Sequence, residues 1–376
     1  MLSRRQTLTL GAAAGLAAGG PAFARPARPM IVNALGGLVN LNMNLGQPGH
    51  PVPGGQPLLI NDRSIADARA AHLTAVNITL GYVFGPGDPH QVTMQALDQW
   101  DSLLAGSPRD FTKVTRVADF ARAQAQNRIG IIYGTQNSAQ VGEHLDRVDI
   151  YYKRGVRVMQ LTYNDKNMMG GGSVAPEDTP LTPLGHQLVE KLNATRIMVD
   201  LSHSGRRTCL DAIAASKVPI SINHTGCRAL TDLPRNKTDE ELRGVAEKGG
   251  FVGMYFMPFL TLDGHPHAPA AADHIVYALK ICGEDHVGLG TDGGPTGVDD
   301  LALYQSALEK EIAERAAAGV GAKGERPDTY PFMPELRGPD QYATIMDLLQ
   351  KRGVKPRVID KVMGRNFVDY AGRIWA

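Results

Sequence analysis

Three polar residues stand where apolar runs end. Ile197-Met198-Val199-Asp200 leads into Leu201-Ser202-His203, Ile220-Ser221-Ile222-Asn223 into His224, and Val287-Gly288-Leu289-Gly290-Thr291 into Asp292. If each run is a strand of one parallel sheet, two imidazoles and a carboxylate emerge at the same edge. Neighbouring parallel strands lie about 4.8 Å apart, so these side chains can meet on one metal ion at about 2.0–2.1 Å per Zn–N bond. The carboxylate acts there as a third ligand, or as the group that holds or deprotonates a water. Arg235, in Leu233-Pro234-Arg235-Asn236, follows the second of these runs on the same side. A guanidinium so placed can clamp a substrate carboxylate bidentately. It can equally be a surface arginine ahead of the helix start Thr238-Asp239-Glu240. Of the eleven histidines, His72, His90, His144, His186, His265, His267, His274 and His286 lack such a placement and read as structural or solvated.

The elements that must position these groups alternate along the chain. Short apolar or β-branched runs fall at Met30–Asn33, Ala75–Thr79, Ile129–Tyr133, Val156–Leu161, Ile197–Asp200, Ile220–Asn223, Gly250–Met254 and Val287–Leu289. Helical patterns lie between most of them, among them Pro183–Asn193, Arg207–Ser216, Asp239–Lys248 and Ala270–Cys282. Strands that are apolar throughout are buried on both faces, as in a parallel sheet covered by helices. Eight such units predict a single-domain α/β fold, a closed (β/α)8 TIM-type barrel, whose active-site face is the C-terminal end of the strands. The alternative, a doubly wound open sheet, usually carries a glycine-rich phosphate turn after its first strand. Asn33-Ala34-Leu35-Gly36-Gly37 lacks the G-x-G-x-x-G spacing, which argues against a dinucleotide site. The stretches from Gly46 to Pro57 and from Gly170 to Pro183 read as long loops, Ser306–Glu325 as a helix running into a flexible tract, and Asp340–Ala376 as helical closure of the barrel.

The chain has 376 residues, 43% hydrophobic and 20% charged, which is ordinary globular usage. Its N-terminus reads as an export leader over residues 1–24. Ser3-Arg4-Arg5-Gln6 is basic, Leu8 to Ala18 is modestly apolar, and Ala22-Phe23-Ala24 offers small residues for cleavage. The arginine pair is Tat-like, with Thr7 and Thr9 leaving Sec export open, and either route predicts a periplasmic or secreted protein. The apolar run is too short for a stable transmembrane anchor. The barrel then occupies residues 25–376. Without the leader, which holds Arg4 and Arg5 and no acid, the net charge falls from +1 to −1. Such a balance gives no general attraction to nucleic acid. Cys209, Cys227 and Cys282 form no CxxC pair, so a cysteine zinc knuckle is excluded; one disulfide or three buried thiols remain open.

Several motifs together resemble the renal (membrane) dipeptidase family, peptidase family M19. They are Val199-Asp200-Leu201-Ser202-His203, Ile222-Asn223-His224-Thr225, Pro234-Arg235-Asn236 and Asp285-His286-Val287-Gly288-Leu289-Gly290-Thr291-Asp292, with Gly364-Arg365-Asn366-Phe367 near the end. The resemblance implies an amidohydrolase-type barrel with two-zinc dipeptidase chemistry. It implies that His203 and His224 bind metal, that Asp292 is the acid/base, and that Arg235 holds the substrate carboxylate. The departures are as specific as the matches. Where the family opens with a His-x-Asp metal pair, this chain has Leu35 and Gly37, and residues 28–48 contain no His, Asp or Glu. Gln136 stands in place of the bridging glutamate, and Tyr163 in place of a histidine after the fourth strand. A standard two-metal centre cannot be built from these positions.

Three readings follow. The first is an exported metal-dependent hydrolase of dipeptide-like amides with one zinc ion at most. The second is a metal-free barrel that binds a small peptide-like ligand or does other chemistry. In it Asp292, Tyr163, Gln136 and the two histidines supply acid/base or hydrogen-bonding groups. The third is a structural or interaction protein. A homodimer is left open by all three.

Overall fold

The computed structural model describes residues 29–44, 58–317, 326 and 328–375. The expected leader, the loop from Gly46 to Pro57, and nearly all of the tract after Ala317 lie outside the described residues. Among the described residues nine strands form one sheet: β1 Ile31–Gly36, β2 Leu73–Thr79, β3 Phe111–Lys113, β4 Ile129–Thr135, β5 Val156–Gln160, β6 Met198–Asp200, β7 Ser221–Thr225, β8 Phe251–Met254 and β9 Val287–Leu289. Every pairing is parallel. The ring closes because β1 pairs with both β2 and β9, and β2 also pairs with β4, from Ala75 opposite Gly130 to Thr79 opposite Gly134. The result is the (β/α)8 barrel, and its eight ring strands are the eight expected ones. The ninth, β3, pairs only with Ile129–Ile131 of β4, on the N-terminal stretch of an edge that β5 joins from Tyr133 onward. Phe-Thr-Lys is too short to show either strand periodicity.

Helices coat the outside much where expected: Pro183–Thr195, Arg206–Ala215, Asp239–Glu247 and Ala268–Cys282. Thr238 caps the third of them in a reciprocal pair with Glu241, which is the helix start the sequence showed. The C-terminal helix Asn366–Trp375 does close the barrel. Its Phe367 and Tyr370 pack on Phe251 of β8, with ring centres 5.2 and 6.1 Å apart. Val32, Ala75, Ile132, Val158 and Met198 join them in one buried cluster. This apolar floor leaves the other end of the barrel, where the strands finish, for polar residues. All three cysteines are buried free thiols.

Above the floor the strands approach closely. A Cβ on Gly253 or Gly290 would lie 2.0 or 1.8 Å from the Asn223 carbonyl oxygen, so neither β8 at Gly253 nor the chain just past β9 at Gly290 can take a side chain. Asp200, fully buried, accepts from the amides of Ser202 and Asn223 at 3.0 and 2.9 Å, and the Ser202 hydroxyl in turn accepts from the His224 amide at 3.0 Å. One carboxylate thus fixes the ends of β6 and β7, the two strands that deliver the histidines. The loop after β5 is pinned too, with Ser173 N donating to His203 O at 2.7 Å and Gly205 N to Gly171 O at 2.9 Å.

Candidate functional site

His203 and His224 meet at the barrel mouth, Nε2 to Nε2, at 2.9 Å. Both are buried. Burial holds both imidazoles far below the usual histidine range, and the Arg235 cation pushes them further the same way. They are therefore neutral at physiological pH. His203 Nδ1 lies 2.7 Å from Asn164 Oδ1. A proton on Nδ1 makes that bond and leaves a lone pair on Nε2, toward which Arg235 Nη2 points from 3.1 Å. The His203 ring stacks on Tyr163, with centres 4.3 Å apart and planes 25° apart. Gln136 comes in from β4, its Nε2 3.4 Å from His224 Nε2 and its Oε1 accepting from Thr79 Oγ1 at 2.9 Å.

Arg235 is not a surface residue. It is 2% exposed, although it lies on the loop ahead of a capped helix. Its Nη1 donates to Ser202 O at 2.8 Å, and its guanidinium carbon lies 5.9 Å from the centre of the Tyr255 ring. Among the described residues no carboxylate makes an ion pair with it. A buried cation held only by a carbonyl and a neutral imidazole is costly unless an anion joins it.

Asp292 occupies a different part of the mouth. Its backbone is left-handed, φ +55°, and its amide donates to Leu35 O at 3.0 Å. Asn33 of β1 braces the turn, accepting from Thr291 N at 2.9 Å and donating to Thr291 Oγ1 at 2.8 Å. The carboxylate faces a cleft bounded by Gly36, Gly37, Trp100 and Phe332. Burial pushes its pKa up to about 6, against the attraction of Arg235. Between about pH 4 and pH 6, the folded state thus keeps a proton that the unfolded chain has lost. Stability falls as pH rises through that window. Asp292→Asn should therefore raise the melting temperature at pH 7.5 and leave it nearly unchanged at about pH 3, where the carboxyl is protonated in both the folded and the unfolded chain. Equal melting curves at pH 7.5 would contradict the raised pKa.

The structure thus brings five of the six expected site residues into one contact network: His203, His224, Arg235, Tyr163 and Gln136. Asp292 makes no hydrogen bond with any of them. Sequence reasoning missed the role of Asn164, although it follows Tyr163 directly, and it missed Arg337, which also lines the Asp292 cleft.

The closed parallel barrel, with its polar side chains collected at the C-terminal strand ends, defines the class: a (β/α)8 barrel with its site at the strand ends. The particular family follows from comparison, for the membrane dipeptidase model (peptidase family M19) matches residues 66–323. The chain belongs to that family. It is 32% identical over 246 residues to an uncharacterized dipeptidase of Schizosaccharomyces pombe, a match covering 62% of this chain and 59% of the relative. It is 31% identical over 229 residues to an uncharacterized Klebsiella pneumoniae protein of the pqqA 5' region, covering 57% and 84%. An amidohydrolase structure from Pseudomonas aeruginosa superposes with a TM-score of 0.74 at 28% identity, over 93% of this chain and 97% of that one.

The family implies bound metal, and the residues present do not fit a metal pair. The end of β1 offers Leu35, which is buried, and Gly37. Gln136 brings a neutral amide. Among the described residues no three His, Cys, Asp or Glu side chains gather closely enough to hold an ion, whereas a catalytic zinc takes three protein ligands. The Arg235 guanidinium occupies the approach to the His203 lone pair, and buried His224 Nδ1 has no hydrogen-bond partner to orient it. No helix among the described residues is long and apolar enough to cross a membrane.

Proposed function

We propose that this member of the dipeptidase family recognises a small peptide-like molecule by its free carboxylate, with Arg235 as the clamp, and that it does so without a two-metal centre. The observation that carries this reading is the Arg235 guanidinium, buried at the barrel mouth with no ion-paired carboxylate among the described residues. Five N–H donors in a fixed fork suit a carboxylate, and two of the nitrogens already point at Ser202 O and the imidazole. Gln136 and the Tyr163 ring, beside the histidines, then shape the pocket. Asp292 supplies the acid/base group, ionised above about pH 6. The relatives named dipeptidases support dipeptide-like molecules as the ligand class.

A second reading rests on the convergence of the two imidazole Nε2 atoms and on Asn164, which sets the His203 tautomer as an orienting partner would. In it one zinc ion at most, held by His203 and His224, assists amide hydrolysis. The two readings separate on metal content. Protein expressed with added zinc and desalted should hold well under one ion per chain and should hydrolyse neither L,L- nor L,D-dipeptides. One zinc per chain that is lost in His203→Ala, with hydrolysis lost alongside it, would establish the second reading instead. The proposal includes export, with residues 1–24 as a Tat-like leader removed from the barrel of 25–376. Arg4→Lys with Arg5→Lys should then leave the protein in the cytoplasmic fraction if the route is Tat.

A further inference from the structure

The barrel mouth holds a second arginine that no carboxylate balances. Arg337 follows the short turn Pro334–Leu336 and is half-buried. Its Nε donates to Thr296 O at 3.0 Å and its Nη2 to Val39 O at 3.4 Å, and its guanidinium carbon lies 5.1 Å from the centre of the Phe332 ring. No Asp or Glu among the described residues pairs with it. Burial pulls its pKa down to about 10, with only the Tyr304 hydroxyl acting electrostatically the other way. Two carbonyls and an aromatic face position the cation but do not neutralise it.

The cleft around it has the form of a ligand site. It measures about 390 Å³ and runs from Asp292 to Arg337, within the size range of small-molecule pockets. Its walls are apolar, with Leu38, Ile60, Trp100, Met257 and Phe332 facing in. Two glycines keep the route from Asp292 clear. A Cβ on Gly293 would lie 3.3 Å from Arg337 Nη1, and one on Gly294 would lie 2.7 Å from Gly37 O. Gly37 lines the cleft, at the position where the resemblance to the family places a metal-binding aspartate. The chain therefore has an apolar cleft ending on a cation at a strand end where the family has metal ligands.

We propose that this cleft is a second anion subsite and that the ligand is a dianionic peptide-like molecule. Asp292 lines the near end of the cleft and Arg235 lies outside its lining, so the ligand passes Asp292: one carboxylate sits on Arg235, the apolar body lies against Trp100 and Phe332, and the second carboxylate reaches Arg337. The inference rests on the reading of Arg235 as a carboxylate clamp and adds the chemistry of the other end. Simple anchoring of the Thr296 and Val39 loops would need the two carbonyl bonds but would give no preference among ligands.

The test is calorimetric titration of the mature protein with N-succinyl-, N-glutaryl- and N-adipoyl-phenylalanine. Each is paired with the acyl chain of equal length that lacks the terminal carboxylate: butanoyl, pentanoyl and hexanoyl. The best diacid should bind at least ten-fold tighter than its partner. In Arg337→Gln that advantage should fall below two-fold, with the affinity of the monoanionic partner unchanged. Arg337→Lys, which keeps the charge and a donor for the carbonyls, should retain part of the advantage and serves if the glutamine variant does not fold. Equal affinities for diacid and partner, or an advantage that survives in Arg337→Gln, would overturn the subsite. If affinities are equal but binding still vanishes in Arg235→Gln, the clamp stands and the subsite alone is wrong. If no compound of the series binds, both fall.

Discussion

Arg235→Gln should abolish binding of carboxylate ligands while leaving the protein at least as stable as before. Removing one partner of a buried, hydrogen-bonded charge pair costs about 2–5 kcal/mol, or roughly thirty- to several-thousand-fold in affinity. The opposite sign for stability comes from the free protein. There the guanidinium is 2% exposed and has no carboxylate partner among the described residues, so its burial is a cost that glutamine largely removes. Calorimetry for binding and thermal melts for stability check the two halves together. A variant that loses binding and also loses several degrees of melting temperature would mean that Arg235 is a structural strut, because function and stability trade against each other only where a group is held ready for a ligand.

Gly290→Ala should have the largest effect on the fold and should disturb the site as well. The added Cβ would lie 1.8 Å from the Asn223 carbonyl oxygen and 3.3 Å from the His224 Cβ. The first contact is with backbone in a closed ring and cannot be relieved by rotating a side chain. Overpacking of this kind costs typically 1–3 kcal/mol and more where nothing yields, so about 3 kcal/mol or above is expected. The strain falls between β7 and β9, so His224 and Asp292 move relative to one another and ligand affinity drops too. Gly37→Ala is the control. Its Cβ would meet nothing nearer than Val39 N at 3.9 Å, and its stability should stay within about 0.5 kcal/mol. Equal stability of the two variants by urea denaturation would contradict the close approach of the strands.

Much of the barrel was legible because its strands are buried on both faces and read as unbroken apolar runs. β3 escaped for the opposite reason: three residues carry no period, and its place on β4 is decided by where β5 begins to pair. The site was legible at the ends of β6 and β7, where a histidine stands three residues past the first run and one past the second. Asp292 ends β9 by the same pattern, but its left-handed turn, tied to Leu35 O and braced by Asn33, carries the carboxylate to the cleft and away from the imidazoles. Tertiary hydrogen bonds set that direction, and they connect positions more than 250 apart in the chain. The burial of Arg235 lay beyond local pattern too, since a loop arginine before a capped helix looks the same on a surface as under one. Arg337 had no signal at all: it enters the mouth from a late loop, and only the closed fold sets it opposite Gly293.

In the proposed function, carboxylate recognition belongs to Arg235 and does not pass through a metal pair. It is tested most directly by titrating N-glutaryl-phenylalanine into protein stripped with a strong chelator, beside the same protein reloaded with excess zinc and desalted. The same affinity is expected in both preparations, with fewer than two zinc ions per chain in the second. Binding that disappears on chelation and returns only with two ions per chain would contradict it.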